Sequence, residues 1–126
     1  MIKAIRGTKD ILPGESGIWQ DIEKISRDNL KLFGYREVRT PIIEETALFV
    51  KNIGEETDIV SKEMFSFVDR GERNISLRPE GTASILRSYI ENNLDKISQF
   101  QKLYYIGPFF RAERHQSAHR VYRHRG

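Results

Sequence analysis

Met64-Phe65-Ser66-Phe67-Val68 and Asn74-Ile75-Ser76-Leu77-Arg78 stand on either side of Asp69-Arg70-Gly71-Glu72-Arg73, and Pro79-Glu80-Gly81-Thr82 follows at once. Two runs of strand character joined by a short loop with a glycine predict a hairpin, whose strands are antiparallel. Pro79 stiffens the exit from the second strand. Beyond it, Ala83 to Leu94 carries Ile85, Leu86, Tyr89, Ile90 and Leu94 as the apolar residues of an amphipathic helix. Helices and antiparallel-type strands interleave with no regular βαβ period, which argues an α+β fold, mainly antiparallel sheet flanked by helices.

Outward from that centre the punctuation is regular. Ser16 offers an N-cap to a helix over 17–33, striped by Ile18, Ile22, Ile25, Asn29 and Phe33 and widened by Trp19 and Leu32. Gly34 suits the C′ position that ends it. Before it, Arg6 to Gly14 reads as an irregular arm closed by a Pro13-Gly14 turn. Tyr35 to Thr40 alternates as a strand, and Pro41, which cannot donate to a ladder, marks its end or an edge. Thr46 to Ile53 reads as a short helix stopped at Gly54, followed by a polar loop over 55–58. Leu103 to Ile106 and Phe109-Phe110 read as two further strand segments, broken at Gly107-Pro108.

The 126 residues suit one domain, and 38% hydrophobic with 31% charged residues is the balance of a globular chain. The absence of cysteine excludes a disulfide framework and thiolate metal sites. No apolar run approaches the roughly 20 residues of a membrane span. Met1 to Gly7 lacks the apolar segment of a secretory signal, so a cytoplasmic location is expected. The formal charge of +3 is unevenly placed: residues 111–126 hold five Arg against one Glu, leaving the rest near neutral. A basic end of this kind is either a solvated tail or a site for phosphate or nucleic acid.

Three stretches could carry chemistry. At Arg78-Pro79-Glu80-Gly81-Thr82, Gly81 lets a ligand approach the backbone, and the Glu80 carboxylate could pair with a substrate ammonium. The competing reading is that Glu80 or Thr82 caps the following helix. In Phe109-Phe110-Arg111-Ala112-Glu113-Arg114, a strand would project Arg111 and Glu113 to one face, where they could hold a phosphate beside a donor-bearing base; a surface ion pair is the alternative. His115, His119 and His124 lack nearby carboxylates, and no metal site is assigned to them.

Arg6-Gly7-Thr8-Lys9-Asp10, a long helix into a strand ending at Pro41, Leu77 to Thr82, and Gly107 to Arg114 occur in that order. The combination closely resembles the amino-terminal part of the catalytic domain of histidyl-tRNA synthetases, which are class II aminoacyl-tRNA synthetases. The resemblance implies motif 1 at about 17–41, forming a homodimer interface, the start of motif 2 at about 104–114, and an atypical basic tail at 115–126. It implies that Glu80, Gly81 and Thr82 bind histidine, with Glu80 and Thr82 holding its α-amino group. Arg111 would be the catalytic arginine that binds the histidine carboxylate and the α-phosphate of ATP, and Glu113 would contact the adenine amino group. The implied reaction activates histidine to histidyl-adenylate and then transfers it to tRNA, with magnesium held mainly by the ATP phosphates.

The pattern departs from the family after Arg114. The family continues with Pro-Gln, a Gly-Arg turn and a Phe-His-Gln strand, whereas this chain reads His115 to Gly126. The family's later motifs are also missing from these residues, so the expectation is a truncated, frame-disturbed or engineered fragment with little adenylate formation alone, self-associating through motif 1. Two alternatives stand beside it. One is the synthetase-like regulatory subunit of ATP phosphoribosyltransferase, against which Glu80 and the full Arg6 to Asp10 motif speak. The other is a non-catalytic RNA-binding module using the basic tail, which has only Tyr122 to stack a base.

Overall fold

A computed structural model describes residues 1–112, and the chain divides into two compact units, 1–36 and 37–126. The first unit holds an arm and one long helix, α1 (Pro13–Leu32). The arm turns at Ile5 to Thr8, where the Thr8 amide and hydroxyl both donate to the Ile5 carbonyl and Gly7 has φ +93°. Lys9 then pairs with Glu15 in the first turn of the helix at 2.9 Å.

Helix α1 begins earlier than Ser16 implies. Pro13 takes the first helical position, where its missing N–H costs nothing and its φ is already helical. The Pro13-Gly14 turn is therefore the helix start, and Ser16 lies inside it, its hydroxyl donating to the Pro13 carbonyl at 3.4 Å. The far end follows the sequence. Gly34 has φ +78°, its amide donates to Lys31 and the Tyr35 amide to Leu30, the paired bonds of a Schellman ending.

The second unit is built on an antiparallel sheet of order β2 (Ile43–Glu45), β4 (Asn74–Leu77), β3 (Ser66–Val68). The register sets Glu44 and Ser66 opposite Ser76, and Glu45 and Phe67 opposite Ile75. Helices α2 (Thr46–Ile53) and α3 (Thr82–Glu91) meet each other, and α2 also meets β4. Phe49, Ile75, Ser76, Ala83 and Ser84 are buried. Ser76 is satisfied there by the hydroxyls of Thr46 at 2.8 Å and Ser66 at 2.6 Å. Helix α2 stops at Gly54, whose φ of +103° suits glycine.

The hairpin, both short helices and the antiparallel sheet thus follow the sequence reading, and the fold is α+β. The outer strands are shorter than their alternation predicts. β1 (Arg36–Glu37) and β5 (Leu103–Tyr104) are two residues each, and within the second unit the Val38 amide donates to the Tyr104 carbonyl. Phe109-Phe110 is not a strand, because Pro108 removes a donor where a ladder would begin.

Candidate functional site

Four residues, Arg78 to Gly81, join β4 to α3, and the chain cannot continue the ladder through Pro79. The freed backbone groups of Arg78 are taken up elsewhere: its amide donates to the Ile42 carbonyl and its carbonyl accepts from the Phe110 amide, at 2.9 and 3.0 Å. The residue is buried, 7% exposed overall. Nε donates to the Pro108 carbonyl at 3.0 Å, and Nη1 to the carbonyl and hydroxyl of Thr40 at 3.1 and 3.3 Å. The cation also stacks over the Phe109 ring, 5.1 Å from its centroid. Gly107 leaves room for this group, since a Cβ there would stand 2.7 Å from Nη2.

The next residues start α3. Both oxygens of the Glu80 carboxylate accept helix amides, Oε2 from Thr82 at 2.6 Å and Oε1 from Ala83 at 3.0 Å. An acceptor at this end satisfies amides that have no partner within the helix, and its charge suits the helix dipole. The capping role considered for Glu80 is therefore present. Thr82 is exposed on the first turn and Gly81 is buried.

Arg111 comes back to this junction. Its Nε donates to the Pro79 carbonyl at 2.9 Å, which sets the guanidinium next to the residue that precedes Glu80. The Ala112 amide donates to the Glu63 carbonyl at 2.8 Å. Residues 108–112 are therefore held by two bonds to Arg78 and one each to Glu63 and Pro79, with no regular strand. Glu80, Gly81, Thr82 and Arg111 gather at one junction. Glu113, the tail at 115–126 and its three histidines lie outside the described residues.

Composition and periodicity drew attention to neither Arg78 nor Tyr105. The available signal for Arg78 was a charged residue between Leu77 and Pro79 at a strand end. Tyr105 packs on Gly81 and meets Phe109 edge to face, ring centroids 5.7 Å apart. Away from the junction, Arg87 joins Glu44 at 2.8 Å to Glu91 one helical turn on. The Glu44 hydrogen bond leads in raising the Arg87 pKa above its usual value, against the opposing effect of burial. This pair borders an open hollow of about 530 Å³ beside Pro41, and a second of about 620 Å³ lies over Val50 and Phe67. Neither is lined by Glu80 or Arg111. Among the described residues no group of three or more His, Asp or Glu could hold a metal ion.

The family model described as histidyl-tRNA synthetase matches residues 7–123. A protein of Synechocystis sp. named histidine--tRNA ligase is 56% identical over 116 residues, covering 92% of this chain and 26% of the relative. One of Solibacter usitatus with the same name is 53% identical, covering 92% and 28%. The chain thus spans little more than a quarter of the length of these relatives. Among solved structures, apo Staphylococcus aureus histidyl-tRNA synthetase superposes with a TM-score of 0.75 at 44% identity, covering 88% of this chain and 30% of that one. A Bacillus halodurans protein titled ATP phosphoribosyltransferase regulatory subunit/histidyl-tRNA synthetase shares the fold at TM-score 0.74 and 24% identity, over 90% and 29%. With almost its whole length matched by the family model, the chain belongs to the histidyl-tRNA synthetase family.

Proposed function

We propose that this chain supplies part of the histidine and ATP sites of a histidine–tRNA ligase, as the amino-terminal part of its class II catalytic domain. The observation that carries the reading is the Nε–Pro79 bond of Arg111. A guanidinium anchored through Nε keeps the four N–H groups of its two terminal nitrogens for ligands, in a fixed plane. Activation brings the histidine carboxylate against the α-phosphate. The carboxylate oxygen bonds to phosphorus, and pyrophosphate leaves with the electron pair of the broken bond. Two anions must be held together while charge builds on the phosphoryl oxygens, and a cation already fixed in place meets that need.

Glu80 fits the ammonium of histidine despite its capping bonds. Each carboxylate oxygen has accepted one helix amide, and each has a second lone pair for an ammonium proton. Thr82 adds a hydroxyl, and Gly81 offers backbone only, the space beside its Cα being filled by the Tyr105 ring. Glu113 is assigned to the adenine amino group by its match to the family's motif 2 carboxylate. Magnesium enters as the partner of the ATP phosphates, with no protein ligand assigned, and tRNA as the acceptor for the complete enzyme. The names of the relatives favour the ligase over the phosphoribosyltransferase subunit.

A homodimer through α1 belongs to the same reading. Ile18, Ile22 and Ile25 lie at helical spacing on it and are more than half exposed, an apolar stripe of the kind that pairs helices. Among the described residues no helix is long and apolar enough to cross a membrane, and the cytoplasm is the compartment proposed.

Calorimetric titration of the chain with histidine and with magnesium ATP, each alone, tests the site. Both should bind; Arg111→Ala should weaken both, and Glu80→Gln histidine only. Binding of neither ligand, or binding indifferent to Arg111→Ala, would overturn the reading. Histidine-dependent exchange of pyrophosphate into ATP should be slight for this chain alone.

A further inference from the structure

We infer that Arg78 is a positioning residue for Arg111. The three residues before Arg111 are each held by Arg78 through a different group: Pro108 by its Nε, Phe109 by the face of its guanidinium, and Phe110 by its carbonyl. Arg111 itself bonds the carbonyl of the next residue, Pro79. Residues 78–79 therefore act as a two-residue rail along which 108–111 is laid. The same guanidinium fixes the other end of the rail to Thr40, just before Pro41.

A planar fork is needed, because the Pro108 and Thr40 oxygens are reached by different nitrogens of one rigid group. An ammonium on a flexible stem retains the charge without setting both distances. Arg78 touches no ligand in this scheme. It decides where the terminal nitrogens of Arg111 point, and a displacement of an ångström at such a group costs orders of magnitude in catalysis. This inference rests on the proposed role of Arg111 for its consequence in ATP binding, but its structural core does not.

The test uses the full chain and three variants. In Arg78→Lys, the NMR signal of the Arg111 Nε–H should lose its slow exchange, and the Phe110 amide should exchange about tenfold faster, while the Ile75 amide stays as it was. ATP affinity should fall about tenfold. Gly107→Ala, which presses a Cβ against Nη2 without removing the guanidinium, should give the same signature in smaller measure and serves if Arg78→Lys does not fold. Ser76→Ala, cut from the buried hydroxyl chain, should lower Tm and leave both signals alone. An unchanged Arg111 signal in Arg78→Lys and Gly107→Ala, or an equal change in Ser76→Ala, would overturn the inference. Should the exchange signature appear while the unaltered chain binds no ATP, the positioning role stands and the ligase reading falls.

Discussion

The ring of Tyr105 lies against the backbone of Gly81 so closely that a Cβ at residue 81 would fall 2.3 Å from Cε2 and 2.5 Å from Cζ. Gly81 has φ −105°, a conformation open to any residue, so space alone demands glycine here. Gly81→Ala should cost about 1–3 kcal/mol, the usual penalty for overfilling a packed site. Shortening the ring in Gly81→Ala/Tyr105→Leu should recover part of that loss. Urea denaturation midpoints of the two variants and of Tyr105→Leu complete the cycle.

Two serines buried in the second unit should respond in opposite directions. Ser84 on α3 has a buried hydroxyl with no hydrogen-bond partner among the described residues, whereas Ser76 binds two hydroxyls. Ser84→Ala should leave the protein unchanged or about 0.5–1 kcal/mol more stable, through relief of desolvation and better helix propensity. Ser76→Ala should destabilise it by about 1–2 kcal/mol. Thermal unfolding of both variants is sufficient.

Arg87→Met should destabilise the chain by about 1–3 kcal/mol, since Glu44, with a side chain only 8% exposed, loses its ion partner. Adding Glu44→Gln should restore part of the loss, because the stranded charge goes with it. A double-mutant cycle in urea measures that coupling directly.

The hairpin loop carries a pH signature. Asp69 accepts from the amides of Gly71 and Arg73 and from the Arg73 guanidinium. The Arg73 backbone bond leads in holding its pKa below the ordinary aspartate value, followed by the side-chain bond. A depressed folded pKa gives stability that is complete above the ordinary value, about pH 4, and is lost as pH falls through the lower folded value. The Tm difference between the native chain and Asp69→Asn should therefore be largest near neutrality and close progressively as the pH is taken below the ordinary aspartate value.

If α1 pairs two copies, a charge within its stripe should separate them without unfolding the helix. Ile22→Asp should sediment as a monomer at concentrations where the native chain is a dimer, with helical ellipticity retained. A native chain that is monomeric at high micromolar concentration would end the dimer proposal.

Local grammar carried most of the fold. Gly34 and Gly54 ended α1 and α2 where the sequence reading placed them, because a positive φ is a property of one residue and shows in its identity. Pro13 was misread, since proline opens helices and turns alike and only the following backbone separates the two. For the candidate site, the sequence allowed residues to be proposed but not their wiring to be read. Glu80 and Arg111 could be named, yet the segment that carries Arg111 is held by Arg78, whose partners at Thr40 and Pro108 lie 38 and 30 residues away. No spacing rule reaches that far. Gly81 shows the same limit: openness to a ligand was expected, and an aromatic ring was found against it.

Arg78 spends its donors on carbonyl and hydroxyl oxygens, and among the described residues no carboxylate neutralises it. Its positive charge therefore has no ion partner among these residues, and its burial shelters it from counterions. Were an anion to bind at Arg111 as proposed, the charge of Arg78, tied to the same segment through Pro108 and Phe110, would add to its attraction and be screened by salt less than that of a surface lysine.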